Sequence, residues 1–390
     1  MKKYLPHSFL VVAMALFLSA CGGGDSPPSP KPHFAYALNY GDGTTNGNLS
    51  MYAINAGTGI LEPLSTPTIA TGIGPQGFAI NPAGTFAYVV NTGIPYTSPD
   101  INTTNGYVST YSINSSTGAL TPLAAPTASA GIQPQSIAIN PAGTFAYVAN
   151  EGDFLLPGYV SMYSINSSTG ALTPLSPPTV TAGFGTGYIT INPAGTFAYA
   201  VNFEDSIVGS ISTYSIDPST GILTFLNSGI ALGNTPSELT INPAGTFAYI
   251  TNKYDKNLFI YSINPSSGSL SRVSSYSLSP SYPTRVTINS SGTFAYIVNT
   301  GDGTSNGYVS MYSINATTGA LTPLSTPTVS AGISAQYLTI SPSGTFAYLA
   351  NGGDNNISMY SIDKSTGILT PLSPAKVSTG ASPSFIAITP

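Results

Sequence analysis

Apolar and polar positions alternate along most of this chain in short runs separated by turn residues. Residues 134–183 show the pattern. In "QSIAIN", Ile137 and Ile139 share one face while Ser136 and Ala138 share the other; a period of two predicts a strand. "NPAG" follows as a turn, with Pro suited to its first central position and Gly free to take positive φ. "TFAYVAN" is a second strand and "EGDFLLPG" a loop. "YVSMYSI" is a third strand, with Val160, Met162 and Ser164 alternating against Tyr159, Ser161, Tyr163 and Ile165. After the turn "NSSTG" comes "ALTPLSPPTV", a broken phrase. Its prolines cannot donate to a ladder, so it predicts an outer edge strand. The unit is a four-stranded antiparallel meander, A (inner), B, C and D (outer).

The unit recurs. "FAY" begins at residues 34, 86, 145, 197, 247, 294 and 346, spaced by 47 to 59 residues. Several strands per repeat at such a period predict a propeller rather than a helical solenoid. No segment after residue 33 has helical periodicity. One meander alone would leave two apolar faces partly bare; seven around an axis bury them against each other. The first copy lacks its A strand, and "SPSFIAITP" at 382–390 supplies one at the other terminus. The expected fold is all-β: a seven-bladed β-propeller of four-stranded antiparallel blades, over residues 34–390, closed by the C-terminal strand joining the N-terminal blade.

Composition refines the picture. The chain has 390 residues, only 6% charged, with a net charge of −5. No nucleic-acid partner is expected of it, while 25 Tyr and 16 Phe can build a core. Residues 1–20 read as a signal peptide: Lys2 and Lys3 are a basic start, and Phe9–Leu18 is apolar but too short to span a membrane. Cys21 is the only cysteine, so it has no intramolecular disulfide partner. Residues 22–32, "GGGDSPPSPKP", read as a tether, so that 21–33 link the signal to the ring.

Leu18-Ser19-Ala20-Cys21 resembles a bacterial lipobox. That resemblance implies lipidation at Cys21 and anchoring to a membrane without a spanning helix. Gly22 stands where an Asp often signals inner-membrane retention, which favours the outer membrane within the cell envelope. In the ring, "PQSIAINPAGTFAYVAN", then "VSMYSI" and a turn ending "STG", resemble the YVTN-type and lactonase-like seven-bladed propellers over about residues 33–390. The resemblance implies the fold; the same ring hosts lactonases, surface-layer proteins and binding modules.

Candidate chemistry follows from where the copies differ. The A–B and C–D turns are nearly constant and lie on one face. The B–C and D–A loops vary and lie on the other, where selectivity belongs. Four residues before each turn stand Gly77, Ser136, Tyr188, Glu238, Arg285, Tyr337 and Phe385. Glu238 and Arg285 fall on adjacent blades. They read either as an inter-blade ion pair or as a polar-ligand site in which Arg285 works with Glu238, Tyr188 and Tyr337. "DGTTNG" at 42–47 and "DGTSNG" at 302–307 have oxygen-ligand spacing, but Ala53 and Ser313 stand where a calcium loop needs Glu; both also read as ordinary turns. The histidines are His7 and His33, one in the signal and one at the domain edge. Glu151, Asp153, Glu204, Asp205 and Glu238 could approach one face, but no nucleophile–base dyad or Cys/His metal cluster is recognisable. No catalytic residue, metal or cofactor is assigned. The first expectation is a ligand-binding or protein-interaction scaffold, taking a carbohydrate, a small polar ligand or an envelope protein. The alternatives are a lactonase-like hydrolase of 6-phosphogluconolactonase type with its site at the channel mouth, and a calcium-stabilised surface adhesin.

Overall fold

The computed structural model describes residues 32–390 except 96–97, 99–103, 154, 204–207 and 279–281. The signal segment and Cys21 lie outside the described residues. Seven four-stranded antiparallel sheets form the blades. In blade 1 the A strand is Pro383–Ile388, followed outward by Phe34–Asn39, Asn46–Ile54 and Leu61–Ile73. The two ends of the ring pair in register, Leu38 with Phe385, Ala37 with Ile386 and Tyr36 with Ala387. Thr389 adds a clasp: its Oγ1 accepts the Phe34 N–H at 2.9 Å.

The repeated "FAY" phrase is explained by the two faces of each B strand. Phe34, Tyr36 and Leu38 pack toward blade 2, against Phe78, Ala87 and Val89. Ala35 and Ala37 face blade 7, against Tyr348 and Ala350. Large side chains on one face therefore meet small ones on the next blade, so that successive blades interdigitate. The Phe and Tyr of each B strand make a second contact at the next blade's C–D turn. The Tyr36 hydroxyl donates to the Gly118 carbonyl at 2.7 Å, Tyr147 to Gly221 at 2.8 Å, and Tyr348 closes the circle on Gly59 at 2.7 Å. The turn must end in glycine: Gly118 has φ +72°, and a Cβ there would stand 2.3 Å from the Phe34 ring. C-strand tyrosines stitch backwards, as Tyr163 does to the Ser129 carbonyl at 2.6 Å. Burial pushes the Tyr163 phenol up to about 12.

The D strands are the outer edge strands, and their ladders are interrupted beside the prolines as expected. Leu61–Ile73, Leu120–Ile132 and Leu321–Ile333 each run 13 residues, but Tyr52 pairs with Pro63 and Ser50 with Thr68, so residues 64–67 bulge out of the pairing. The A strand of blade 5 departs from expectation. Only Thr240–Ile241 pair as a strand, with an isolated bridge from Pro236 to Asn252. The Ser237 hydroxyl takes the Thr251 N–H at 3.3 Å and the Thr251 hydroxyl at 2.8 Å, interrupting the ladder beside Glu238.

Candidate active site at the channel axis

The inner strands carry their variable column to the axis. Arg285, Glu238, Tyr188 and Tyr337, drawn from four consecutive blades, come together there. Arg285 Nη1 donates to Glu238 Oε2, and Nη2 donates to the Tyr188 hydroxyl at 3.3 Å. The guanidinium lies 4.7 Å from the Tyr337 ring centre, 4.9 Å from Tyr188 and 5.6 Å from Phe385. Tyr337 and Phe385 stack at 3.9 Å, extending the aromatic wall. The inter-blade ion-pair reading is realised, with the cation within cation–π range of the Tyr337, Tyr188 and Phe385 rings.

The pair stands where the channel narrows. Channel walls surround both groups, yet 17% of the Arg285 side chain and 31% of Glu238 stay open to solvent along the axis. Desolvation by those walls raises the Glu238 pKa above the ordinary carboxylate range, and Arg285 offsets part of that rise. Burial also raises the Tyr337 phenol, so it stays protonated at neutral pH.

On the variable-loop face the channel widens to a mouth cavity of 630 Å³. Arg285 and Tyr188 form part of its floor, with Phe203 packed edge-on against Tyr188 at 5.6 Å. Thr235, Ser334, Ser382 and Lys253 also line it, and among the described residues no Asp or Glu does. The wall is pinned at strained positions. Thr235, Ser334 and Ser382 sit at φ +54°, +53° and +52°. Their carbonyls accept N–H bonds from Lys253, Gly352 and Tyr40 at 3.0, 2.9 and 3.0 Å. On the constant-turn face lies a second cavity of 340 Å³, bordered by Glu238, Arg285, Tyr337 and turn residues such as Pro193.

Neither Glu151 nor Asp153 lines the axial cavities. The Glu151 carboxylate accepts from Gln135 Nε2 at 2.9 Å, and Asp153 caps its own loop at the Leu155 and Leu156 N–H groups. Glu204 and Asp205 lie outside the described residues. Asp42 Oδ1 takes the Thr44 and Thr45 N–H groups, each at 2.9 Å, and Asp302 does the same for Thr304 and Ser305. Those bonds hold both carboxyls well below the usual range. This is turn chemistry.

Lys253, Phe203 and Tyr40 were missed at the sequence level. Each directly follows the Asn that ends a B strand. Reading that column across the seven copies would have singled out Lys253 as its one cation.

The family model described as "Lactonase, 7-bladed beta-propeller" matches residues 98–288, 161–335 and 277–384, overlapping spans as expected of repeats. The chain belongs to this lactonase propeller family. No curated sequence relative matches it. A 6-phosphogluconolactonase candidate from Bacteroides uniformis shares the fold at TM-score 0.74 and 19% identity, covering 92% of this chain and 99% of that one. The periplasmic gluconolactonase PpgL of Pseudomonas aeruginosa aligns at TM-score 0.72 and 17% identity, over 92% of this chain and 99% of its own. At such identities the likeness of this lactonase-family propeller to those structures is one of fold.

Proposed function

We propose that this propeller hydrolyses an anionic sugar lactone at the floor of the mouth cavity. The observation that carries the reading is the Arg285–Glu238 pair, set on the axis beneath a cavity whose described lining includes the Arg285 and Lys253 cations and several hydroxyls. Family membership favours hydrolysis over the non-enzymatic scaffold. In this reading Arg285 polarises the lactone carbonyl and holds the oxyanion that forms on it, a role worth roughly 10²–10³ in rate for one donor. Glu238, with its raised pKa, accepts a proton from the attacking water. The ring C–O bond then breaks, the proton passes to the departing alkoxide, and a hydroxy acid leaves. Tyr188 and Phe203 offer ring faces to the sugar, and Ser334 and Ser382 lie along the wall beside its hydroxyls. Lys253 adds a second cation for a phosphate or carboxylate substituent, which fits the 6-phosphogluconolactonase type named for the neighbouring structures.

The test is hydrolysis of a panel of neutral and phosphorylated sugar lactones by purified protein. Turnover well above background that is lost in Arg285→Ala supports the reading; no turnover on any lactone ends it. The lipobox-like segment supports export and anchoring through Cys21. Cys21→Ser is expected to release the protein from membranes, and continued membrane fractionation in high salt would contradict the anchor.

A further inference from the structure

The pair separates two cavities, but a third lies between them. A neck of 30 Å³ is bordered by Ser136, Tyr188, Glu238, Arg285 and the inner-strand residues Gln76 and Gly77. It shares Arg285, Tyr188 and Gln76 with the mouth above, and Glu238 and Arg285 with the vestibule below. Arg285 borders all three spaces; Glu238 borders the neck and the vestibule but not the mouth. The neck exists because the axial column is lopsided. Blades 4, 6, 7 and 1 contribute Tyr188, Arg285, Tyr337 and Phe385, while blades 2 and 3 contribute only Gly77 and Ser136. At Gly77 the inner strands approach so closely that a Cβ would stand 2.9 Å from the Gln135 carbonyl oxygen and the Ser136 Cα.

Its size and lining suit one small polar molecule. A single water needs roughly 10–15 Å³ of such space and two to four polar partners. The neck supplies a carboxylate acceptor, a guanidinium donor and a hydroxyl. The Ser136 oxygen accepts the Ile189 N–H at 3.0 Å, which fixes the side chain and leaves its proton free to donate into the neck.

We propose that the neck seats the nucleophilic water of the lactonase reaction, with Ser136 and Glu238 as its ligands, and that this water is replenished from the vestibule on the constant-turn face. The inference rests on the hydrolase reading above and adds a residue and a route to it. Substrate seated on Arg285 in the mouth covers the upper end of the neck, so the lower end stays open to solvent while the upper is occupied. Attack then proceeds upward. The water oxygen bonds to the lactone carbonyl carbon, one water proton goes to the Glu238 carboxylate, and the carbonyl electron pair moves onto the oxygen held by Arg285. Collapse expels the ring oxygen, which takes the proton back from Glu238. One water is consumed and Glu238 returns to its starting state.

The route predicts an unusual kinetic split. Ser136→Leu fills the neck from a side that the substrate does not touch, so kcat falls by roughly 10²-fold while KM holds. Ser136→Ala removes one ligand and leaves the space, so the loss is about tenfold. Ile139→Trp, on the vestibule wall, lowers kcat with KM unchanged and keeps the mouth intact. Melting curves of all three confirm folding, and a high-resolution crystal structure of the wild type gives a readout independent of turnover. An ordered water within hydrogen-bond distance of both Glu238 and Ser136 is the expected result. A neck without that water, or Ser136→Leu with wild-type kcat, overturns the inference alone and leaves the hydrolase reading standing. A protein that turns over no lactone overturns both.

Discussion

The seams between blades and the axis through them are built on opposite rules. At every seam the same residues recur: a B-strand Tyr hydroxyl on the next blade's turn glycine, and a Phe ring across that glycine, as at Phe34 and Gly118 or Phe145 and Gly221. At the axis, three strands inward of the rim, no such sameness holds. One position reads Gly, Ser, Tyr, Glu, Arg, Tyr and Phe around the ring. Repetition spreads stability over seven equivalent contacts, each worth little alone. The proposed reaction has one carbonyl and one attacking atom, so its groups need occur only once. The break in symmetry reaches the backbone, because the blade that carries Glu238 is the one whose inner strand is interrupted at Ser237.

The sharpest way to break the comparison is to open the ring. Deleting residues 382–390 removes the strand that pairs with Phe34–Asn39, buries Ile386 fully and supplies Phe385 to the axial wall. The loss of a buried aliphatic side chain and several ladder bonds predicts at least ~5 kcal/mol of destabilisation. Thermal melting checks it, and an unchanged midpoint would mean that closure contributes nothing.

Next in size is the effect of Glu238→Gln. Glu238 must be ionised to accept a proton, and burial raises its pKa. The sign follows: kcat/KM falls as pH drops through a value above the ordinary ~4.3 of a glutamate. Glu238→Gln lowers kcat by roughly 10²-fold or more and abolishes that acid limb. A variant that keeps the limb would assign it to another group.

Smallest is the effect of a single seam. Tyr147→Phe deletes one of seven equivalent hydroxyl bonds and leaves the Gly221 carbonyl without that donor. About 1 kcal/mol is lost, with activity per folded molecule unchanged. A large activity loss from this change would mean that seams and axis are coupled.

These two regions also differ in how far they could be read beforehand. Blade number, strand order and closure were legible because "FAY", "NPAGT" and "STG" mark the same contacts in each copy. Arg285, Glu238, Tyr188 and Tyr337 were legible by the inverse signal, as the A-strand column whose chemistry changes most from blade to blade. The break in the D strands was legible from proline's missing donor, but not that the strand resumes pairing after residues 64–67 bulge out. Lys253 and Phe203 were obscured because loop residues align only through the Asn that precedes them. The neck was beyond sequence reading altogether: it depends on how Gly77 and Ser136 leave space that larger residues on other blades fill.

The central claim is that the axis carries chemistry while the seams carry stability. The most direct test is the double variant Glu238→Gln/Arg285→Gln, which removes both charges and so leaves neither behind unpaired in the channel. Its melting temperature and its kcat/KM on the best lactone substrate are measured together. The account predicts a melting temperature close to wild type with kcat/KM reduced at least ~10²-fold. A variant that hydrolyses the lactone as well as wild type, or one that loses its fold before its activity, would contradict it.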